Sequence, residues 1–285
     1  MMLALALDTA TEYVTVGLAV VDPATGDFSL LVEEAPLAPR AANSRTLPLA
    51  MELLERVGRR PSDIGLVVVG RGPGSFTGVR IGMATAKGLA QGLGAPLVAV
   101  PTLDAVAFGA LRAASEAGAG DSVAVVGDAM RQEVFAVRYR SGPAGALRLD
   151  PFAALKPADV ARALSARGGR VALAGNGLAK YGELLVQALG ERALVLDESA
   201  WRPTAAGLLA AAAPALVAAA SHPDGYDPGV ALPIYTRLSD AEEAEEARAG
   251  RPPEPVPASG VAGPDGAAAT FTRVEAGWPF EEDRA

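Results

Sequence analysis

Cysteine is absent from this 285-residue sequence. Its absence excludes disulfides, thiolate zinc sites, iron–sulfur clusters and a cysteine nucleophile. It also fits a reducing compartment, so a cytoplasmic location is expected. Histidine is nearly absent too. The single residue, His222, sits in Ser221-His222-Pro223-Asp224-Gly225, a surface-turn pattern. No paired-histidine metal site can be built within one chain, and a histidine general base would have to be this residue. Aromatic residues make up 5% of a chain that is 50% apolar. Alanine carries much of that apolar content, which favours helices packed closely through small side chains. Long hydrophobic runs are missing as well. Met1–Leu7 has no basic leader and is broken by Asp8, too short for the apolar core of a signal peptide. Thr204–Ala220 is alanine-rich, holds Pro214 and falls short of the roughly 20 residues of a membrane helix, so it is read as buried helix and no membrane association is expected.

The net charge of −8 is unevenly placed. Residues 239–285 carry four arginines against eleven acidic residues, whereas residues 1–238 carry 21 basic and 22 acidic residues. Neither part has the basic footprint of a protein that grips nucleic acid unaided. Arg251–Gly266 is rich in Pro, Gly and Ala, so 239–285 is expected to be a disordered acidic tail. Within it, Ala276–Glu282 sets Trp278 and Phe280 among acids, a candidate short docking motif.

What is present reads as two related halves. Leu3–Leu7, Val14–Val21 and Phe28–Glu33 form an expected β-meander. Helical spacing of Leu47, Ala50, Met51, Leu54 and Val57 follows, closed by Gly58 and Pro61. Next come the apolar strand Ile64–Val69, a glycine-rich loop, a helix over Phe76–Leu93 and the strand Leu97–Val100. The order restarts with strands at Ser122–Val126, Glu133–Tyr139 and Leu147–Leu149. Helix Pro157–Ala166, strand Val171–Ala174 and helix Leu178–Leu189 follow. Strand, Asp and tight turn recur at Asp8 and Asp128, so the expected fold is α/β with two lobes around a cleft. The expected divisions are an N-terminal lobe over 1–105 completed by 204–220, a C-terminal lobe over 106–203, and a terminal segment over 221–238.

The loop from Gly70 to Gly82, GRGPGSFTGVRIG, joins a buried strand to a helix, with Ser75 as its expected N-cap. An anion could rest at such a helix start, so Asp8, Thr9, Gly72, Gly74 and Ser75 are candidate anion or nucleotide residues. The specific nucleotide motifs fail. Val79 and Arg80 stand where a P-loop needs Lys and Ser or Thr, and Thr77 stands where the dinucleotide fingerprint needs its third glycine. Ser75 also lacks the flanking glycines of a nucleophile elbow. Gly78, Gly82, Ala86 and Ala90 recur every four residues, a face either for internal packing or for close approach of another helix. With Leu47, Ala50, Met51, Leu54, Val79 and Met83, Gly82 and Ala86 form a candidate protein interface. Asp8 and Asp128 sit at strand ends where magnesium could bind, or where Asp caps a turn. Asn176 is an expected N-cap that could also face a ligand. No catalytic residue and no metal ligand is assigned.

Asp8-Thr9-Ala10-Thr11, GRGPGSFTGVRIG at 70–82 and Asp128-Ala129-Met130-Arg131-Gln132-Glu133-Val134 together resemble the TsaB (YeaZ) family. Many relatives read Asp-Ala-Arg at the second turn; here Met130 intervenes before Arg131. The resemblance covers about residues 1–238. It implies two RNase-H-like lobes of the actin-like/Hsp70/sugar-kinase superfamily. It also implies a part in making threonylcarbamoyladenosine at position 37 of tRNA. The implied role is a non-catalytic scaffold that pairs with TsaD through the two N-terminal-lobe helices and assembles with TsaE. TsaC would supply threonylcarbamoyl-AMP. ATP and magnesium would be used by the partners rather than by this chain, and tRNA met only through the complex. A homodimer through the same helices is expected when the partner is absent. The alternatives are a stand-alone ATP-dependent phosphotransferase of the same superfamily and a metallopeptidase-like protein.

Overall fold

The computed structural model describes residues 1–120, 122–142 and 145–236. The acidic tail expected over 239–285, with its Trp278–Phe280 motif, lies outside the described residues, as do the last two positions of the 221–238 segment.

The first sheet is built from β1 (Met2–Asp8), β2 (Thr15–Val21), β3 (Phe28–Glu34), β4 (Ile64–Gly70) and β5 (Leu97–Val100), ordered β3-β2-β1-β4-β5. The first three strands pair antiparallel, whereas β1–β4 and β4–β5 are parallel. Helices α1 (Ala42–Arg56) and α2 (Phe76–Leu93) provide the crossovers. After α3 (Thr102–Glu116) the pattern repeats. Strands β6 (Ser122–Met130), β7 (Glu133–Gly142), β8 (Gly145–Arg148), β10 (Val171–Ala174) and β11 (Ala193–Val195) are ordered β11-β10-β6-β7-β8, and the short β9 (Ala154–Leu155) pairs with β7. Helices α4 (Pro157–Ser165) and α5 (Leu178–Leu189) complete this half, and α6 (Ala205–Ser221) returns to the first. Both sheets thus have the same order, two copies of the RNase-H-like arrangement.

Period-two alternation along β1 decides what covers each face. Leu3, Leu5 and Leu7 point toward α1 and α2 and pack with Leu53, Val79 and Met83. Ala4 and Ala6 point the other way, toward Leu208, Leu209 and Ala212 of α6. The alanine face lets the alanine-rich α6 lie close to the sheet, and a Cβ on Gly17 would sit 2.3 Å from that of Ala205. Glu33 Oε2 accepts from the Ala205 and Ala206 N–H groups at 2.9 and 3.3 Å, and Thr204 Oγ1 accepts from Gly207 N at 2.9 Å, so the start of α6 is capped twice. By length and composition α6 and its approach could cross a membrane, but α6 is the core helix of this lobe.

Helices α3 and α6 form the central layer. A Cβ on Gly207 would lie 2.3 Å from the Ala105 carbonyl oxygen, so the crossing needs glycine. The other side of α3 packs Val106, Ala110 and Ala114 against Val123, Val125 and Val137 of the second sheet, whose far face meets α4 and α5. Helix α3 thus contacts both lobes.

Candidate functional site

At the carboxyl end of β1, Asp8 is fully buried. Its Oδ2 accepts from Thr102 Oγ1 at 2.6 Å and its Oδ1 from Ala10 N at 2.7 Å. Burial pushes the Asp8 carboxyl up to about 6, a shift that its two hydrogen bonds only partly offset. Thr102 Oγ1 also accepts from Gly72 N at 3.1 Å, which ties the glycine loop into the same cluster. Ser75 N donates to the Ala10 carbonyl at 2.7 Å, and Ser75 Oγ accepts from Gly78 N at 3.2 Å, as an N-cap does. Thr9 Oγ1 donates to the Gly78 carbonyl at 2.7 Å. The five residues considered for an anion are thus brought together, but facing one another. Asp8, Thr9 and Gly72 are buried, and the donors at Gly72, Ser75 and Gly78 already have protein partners. The loop acts as a seam between β1, α2 and α3 in this structure.

The seam accounts for the inner glycines of α2. A Cβ on Gly78 would lie 2.1 Å from the Thr9 carbonyl oxygen, and one on Gly82 would lie 2.4 Å from Thr9 Oγ1. The stripe Gly78–Gly82–Ala86–Ala90 therefore faces the chain's own sheet. Of the eight candidate interface residues, Ala50, Leu54, Val79, Gly82, Met83 and Ala86 are buried inside the lobe. This corrects their reading as contact residues: helical spacing marks a packed face without saying which neighbour fills it. Leu47 and Met51 alone of the eight are exposed, each 45%.

The opposite side of α2 carries a second small-residue row that sequence reading passed over. Ala84, Gly88 and Gly92 follow the same four-residue spacing and are exposed, and nothing lies within 4 Å of a Cβ placed on Gly88 or Gly92. Phe76, 37% exposed, opens the helix. Beside it runs the segment after α6. Ile234 N donates to the Arg71 carbonyl at 2.8 Å, and Arg80 Nε donates to Tyr235 Oη at 2.8 Å. The Arg80 guanidinium lies 3.8 Å from the Phe76 ring centre, and the Phe76 and Tyr235 rings are 5.2 Å apart. Tyr235 thus packs its ring against the start of α2.

Between the lobes, Asn176 bridges. Its Oδ1 accepts from Asp128 N at 3.0 Å and its Nδ2 donates to Glu12 Oε2 at 2.7 Å. Asp128 is paired with Lys180 and accepts from Met130 N at 3.0 Å. Met130, Arg131 and Gln132 all have positive φ, at 61°, 48° and 61°, in the β6–β7 turn. Among the described residues no group of three or more His, Asp or Glu side chains converges to hold a metal.

Residues 36–245 match the family model described as TsaD: tRNA N6-adenosine threonylcarbamoyltransferase. The chain is similar to the tRNA threonylcarbamoyladenosine biosynthesis protein TsaB of Escherichia coli, 40% identical over 136 residues, which are 48% of this chain and 54% of that one. The Haemophilus influenzae protein of the same name is 37% identical over 131 residues, 46% and 51% of the two chains. The chain spans about half the length of the curated relatives it matches. YeaZ from Pseudomonas aeruginosa superposes with a TM-score of 0.63 at 31% identity, covering 82% of this chain and 100% of that one. A second solved structure, of a protein described by its similarity to YeaZ, gives 0.65 at 33% identity, with 83% and 100% covered. With the whole of the YeaZ fold matched and the family model spanning most of the described residues, the chain belongs to the TsaB (YeaZ) family.

Proposed function

We propose that the chain is a non-catalytic subunit in the synthesis of threonylcarbamoyladenosine on tRNA, and that it docks a TsaD-type transferase on the outer face of α1 and α2. The observation that carries this reading is the surface itself. Leu47 and Met51 stand exposed on α1, and Ala84, Gly88 and Gly92 stand exposed on α2, which shares a core with α1. A glycine inside a helix costs about 1 kcal/mol relative to alanine. Packing within the chain explains Gly82 but not Gly88 or Gly92. Close approach of a partner's helix explains both. The sealed seam around Asp8, whose donors already have protein partners, supports a partner role rather than turnover. Transferase names among the similar proteins support the choice of partner. TsaE joins the pair in this reading, ATP and magnesium serve the partners, the complex works in the cytoplasm, and two copies of the chain pair through the same face when TsaD is absent.

The test is reconstitution of tRNA modification from TsaD, TsaE, TsaC, threonine, bicarbonate and ATP, with and without this chain. Met51→Glu is expected to abolish co-purification with TsaD and to lower modified adenosine to the level seen without the chain, with its melting temperature unchanged. Full co-purification of Met51→Glu, or modification by the chain alone, rejects the proposal.

A further inference from the structure

We propose that the chain holds a binding site for a primary ammonium group carried on an apolar body, in the cavity where α3 and α6 meet β8. The site is separate from the docking surface on α1 and α2 and does not depend on it.

Three observations carry it. The first is the lining. The cavity has a volume of about 240 Å³. Phe108 of α3, Ala146 and Leu147 of β8, and Ala211 and Pro214 of α6 give it apolar walls. Phe108 and Leu147 are 36% and 49% exposed, so solvent reaches it beside them. Among the described residues that line it, Asp104 alone is ionisable, and no lining side chain is a hydrogen-bond donor.

The second is the state of that carboxylate. The Asp104 side chain is 23% exposed. Its Oδ1 accepts from Tyr139 Oη at 2.8 Å and lies 3.5 Å from Arg148 Nη1. Its Oδ2 has no hydrogen-bond partner among the described residues. Burial raises the Asp104 pKa, and Arg148, Tyr139 and Arg71 offset only part of that rise. A largely buried carboxylate costs free energy until its lone pairs are satisfied, and a charged donor satisfies them best. Arg148 stays on the Oδ1 side, with its guanidinium 4.2 Å from the Phe152 ring centre.

The third is the backbone of α6. Pro214 stands inside this helix and has no N–H, so the Ala210 carbonyl lacks the donor that a regular helix supplies four residues on. Ala210 and Pro214 both line the cavity. The polar groups gathered there are thus acceptors. An apolar site with acceptors and no donors selects a ligand that brings the hydrogens, and an ammonium brings three together with a positive charge. A cavity of ~150 Å³ can hold benzene, so this one takes a ring with a short aminoalkyl arm. Helix α6 belongs to the core of the first lobe and β8 to the second sheet, so an occupant touches both lobes and stabilises the folded chain.

The probe is phenethylammonium, titrated into the full chain by calorimetry beside two ligands of similar shape, phenethyl alcohol and hydrocinnamate. The ammonium is expected to bind and to raise the melting temperature, the alcohol to bind about ten-fold more weakly, and the carboxylate to give no heat. Asp104→Asn removes the charge and keeps an acceptor for Tyr139. It is expected to weaken the ammonium to the level of the alcohol. Phe108→Lys sets an ammonium of the chain one helical turn from Asp104, where the two can pair, and is expected to abolish binding of all three ligands with the fold intact by circular dichroism. This second variant keeps Asp104, so it decides alone if Asp104→Asn does not fold. No heat from phenethylammonium at millimolar concentration overturns the proposal. Equal affinities for the ammonium and hydrocinnamate, or unchanged ammonium binding in either variant, overturn it as well.

Discussion

Asp8 shows how a strand-end carboxylate can be mistaken for a ligand. In sequence it ends an apolar strand next to a threonine and ahead of a turn, a position where cations and phosphates are often met. In the fold its two oxygens accept from Thr102 and Ala10, and burial alone raises its pKa to about 6. The folded chain therefore holds this proton in a range where the unfolded chain, with a value of 3.8, has released it. Between those two values the native state binds more protons, so stability falls as pH rises, and the loss is complete above about 6. The difference amounts to roughly 3 kcal/mol at most. Asp8→Asn removes the charge and keeps one acceptor oxygen for Ala10 N, while its Nδ2 can donate to Thr102 Oγ1 in place of accepting from it. Its melting temperature is expected to match that of the native chain near pH 4 and to exceed it at pH 7.5. Equal melting curves at both values would show that Asp8 ionises in the folded state at no cost.

Helix α2 is the element in which sequence and structure divide most clearly. Its limits, its Ser75 cap and its run of small residues were all legible, because capping chemistry and four-residue spacing are local properties. Which small residues meet the sheet was not legible, since Gly82 and Gly88 look alike until β1 supplies Thr9 against one of them. Substitution separates the two. Gly82→Leu forces a side chain into Thr9 and is expected to lower unfolding free energy by about 3 kcal/mol or more, measured by urea denaturation. Gly88→Leu meets open space and is expected to leave stability unchanged or raised by up to about 1 kcal/mol, while reducing partner binding at least ten-fold. Equal stability losses in the two variants would mean that the faces are wrongly assigned. Helix α3 was passed over in the sequence altogether. Its alanine and valine side chains are buried on one side against α6 and on the other against the second sheet, and two apolar faces leave only a narrow exposed row through Arg112 and Glu116.

At the level of the whole molecule, the two lobes meet through the α3–α6 layer and through Asn176, which joins Asp128 of one lobe to Glu12 of the other. Asn176→Ala removes both contacts and leaves the Asp128 N–H and the Glu12 carboxylate without this partner. A loss of about 1–3 kcal/mol is expected, measured by urea denaturation. In a double-mutant cycle with Glu12→Ala the coupling is expected to be about 0.5 kcal/mol or more; zero coupling would show that the bridge does not join the lobes in solution. The doubling of the fold was visible in advance from the recurrence of strand, Asp and turn. The partner of Asn176 was not, because it lies 164 residues away.

The sequence by itself determined the local chemistry: the alternating Leu and Ala of β1, the Ser75-capped start of α2, the repeat of one meander pattern, and the lack of cysteine and paired histidine that removes whole classes of catalysis. These depend on neighbours within a few positions, where bond geometry and side-chain periodicity act alone. Tertiary structure decided everything that depends on which surface meets which. It turned the Gly78–Ala90 stripe inward, sealed Asp8 behind Thr102, set Tyr235 against Phe76, and left Leu47, Met51 and Gly88 facing out. Close packing allows one neighbour at each face, and only the folded chain shows whether that neighbour is itself or another molecule.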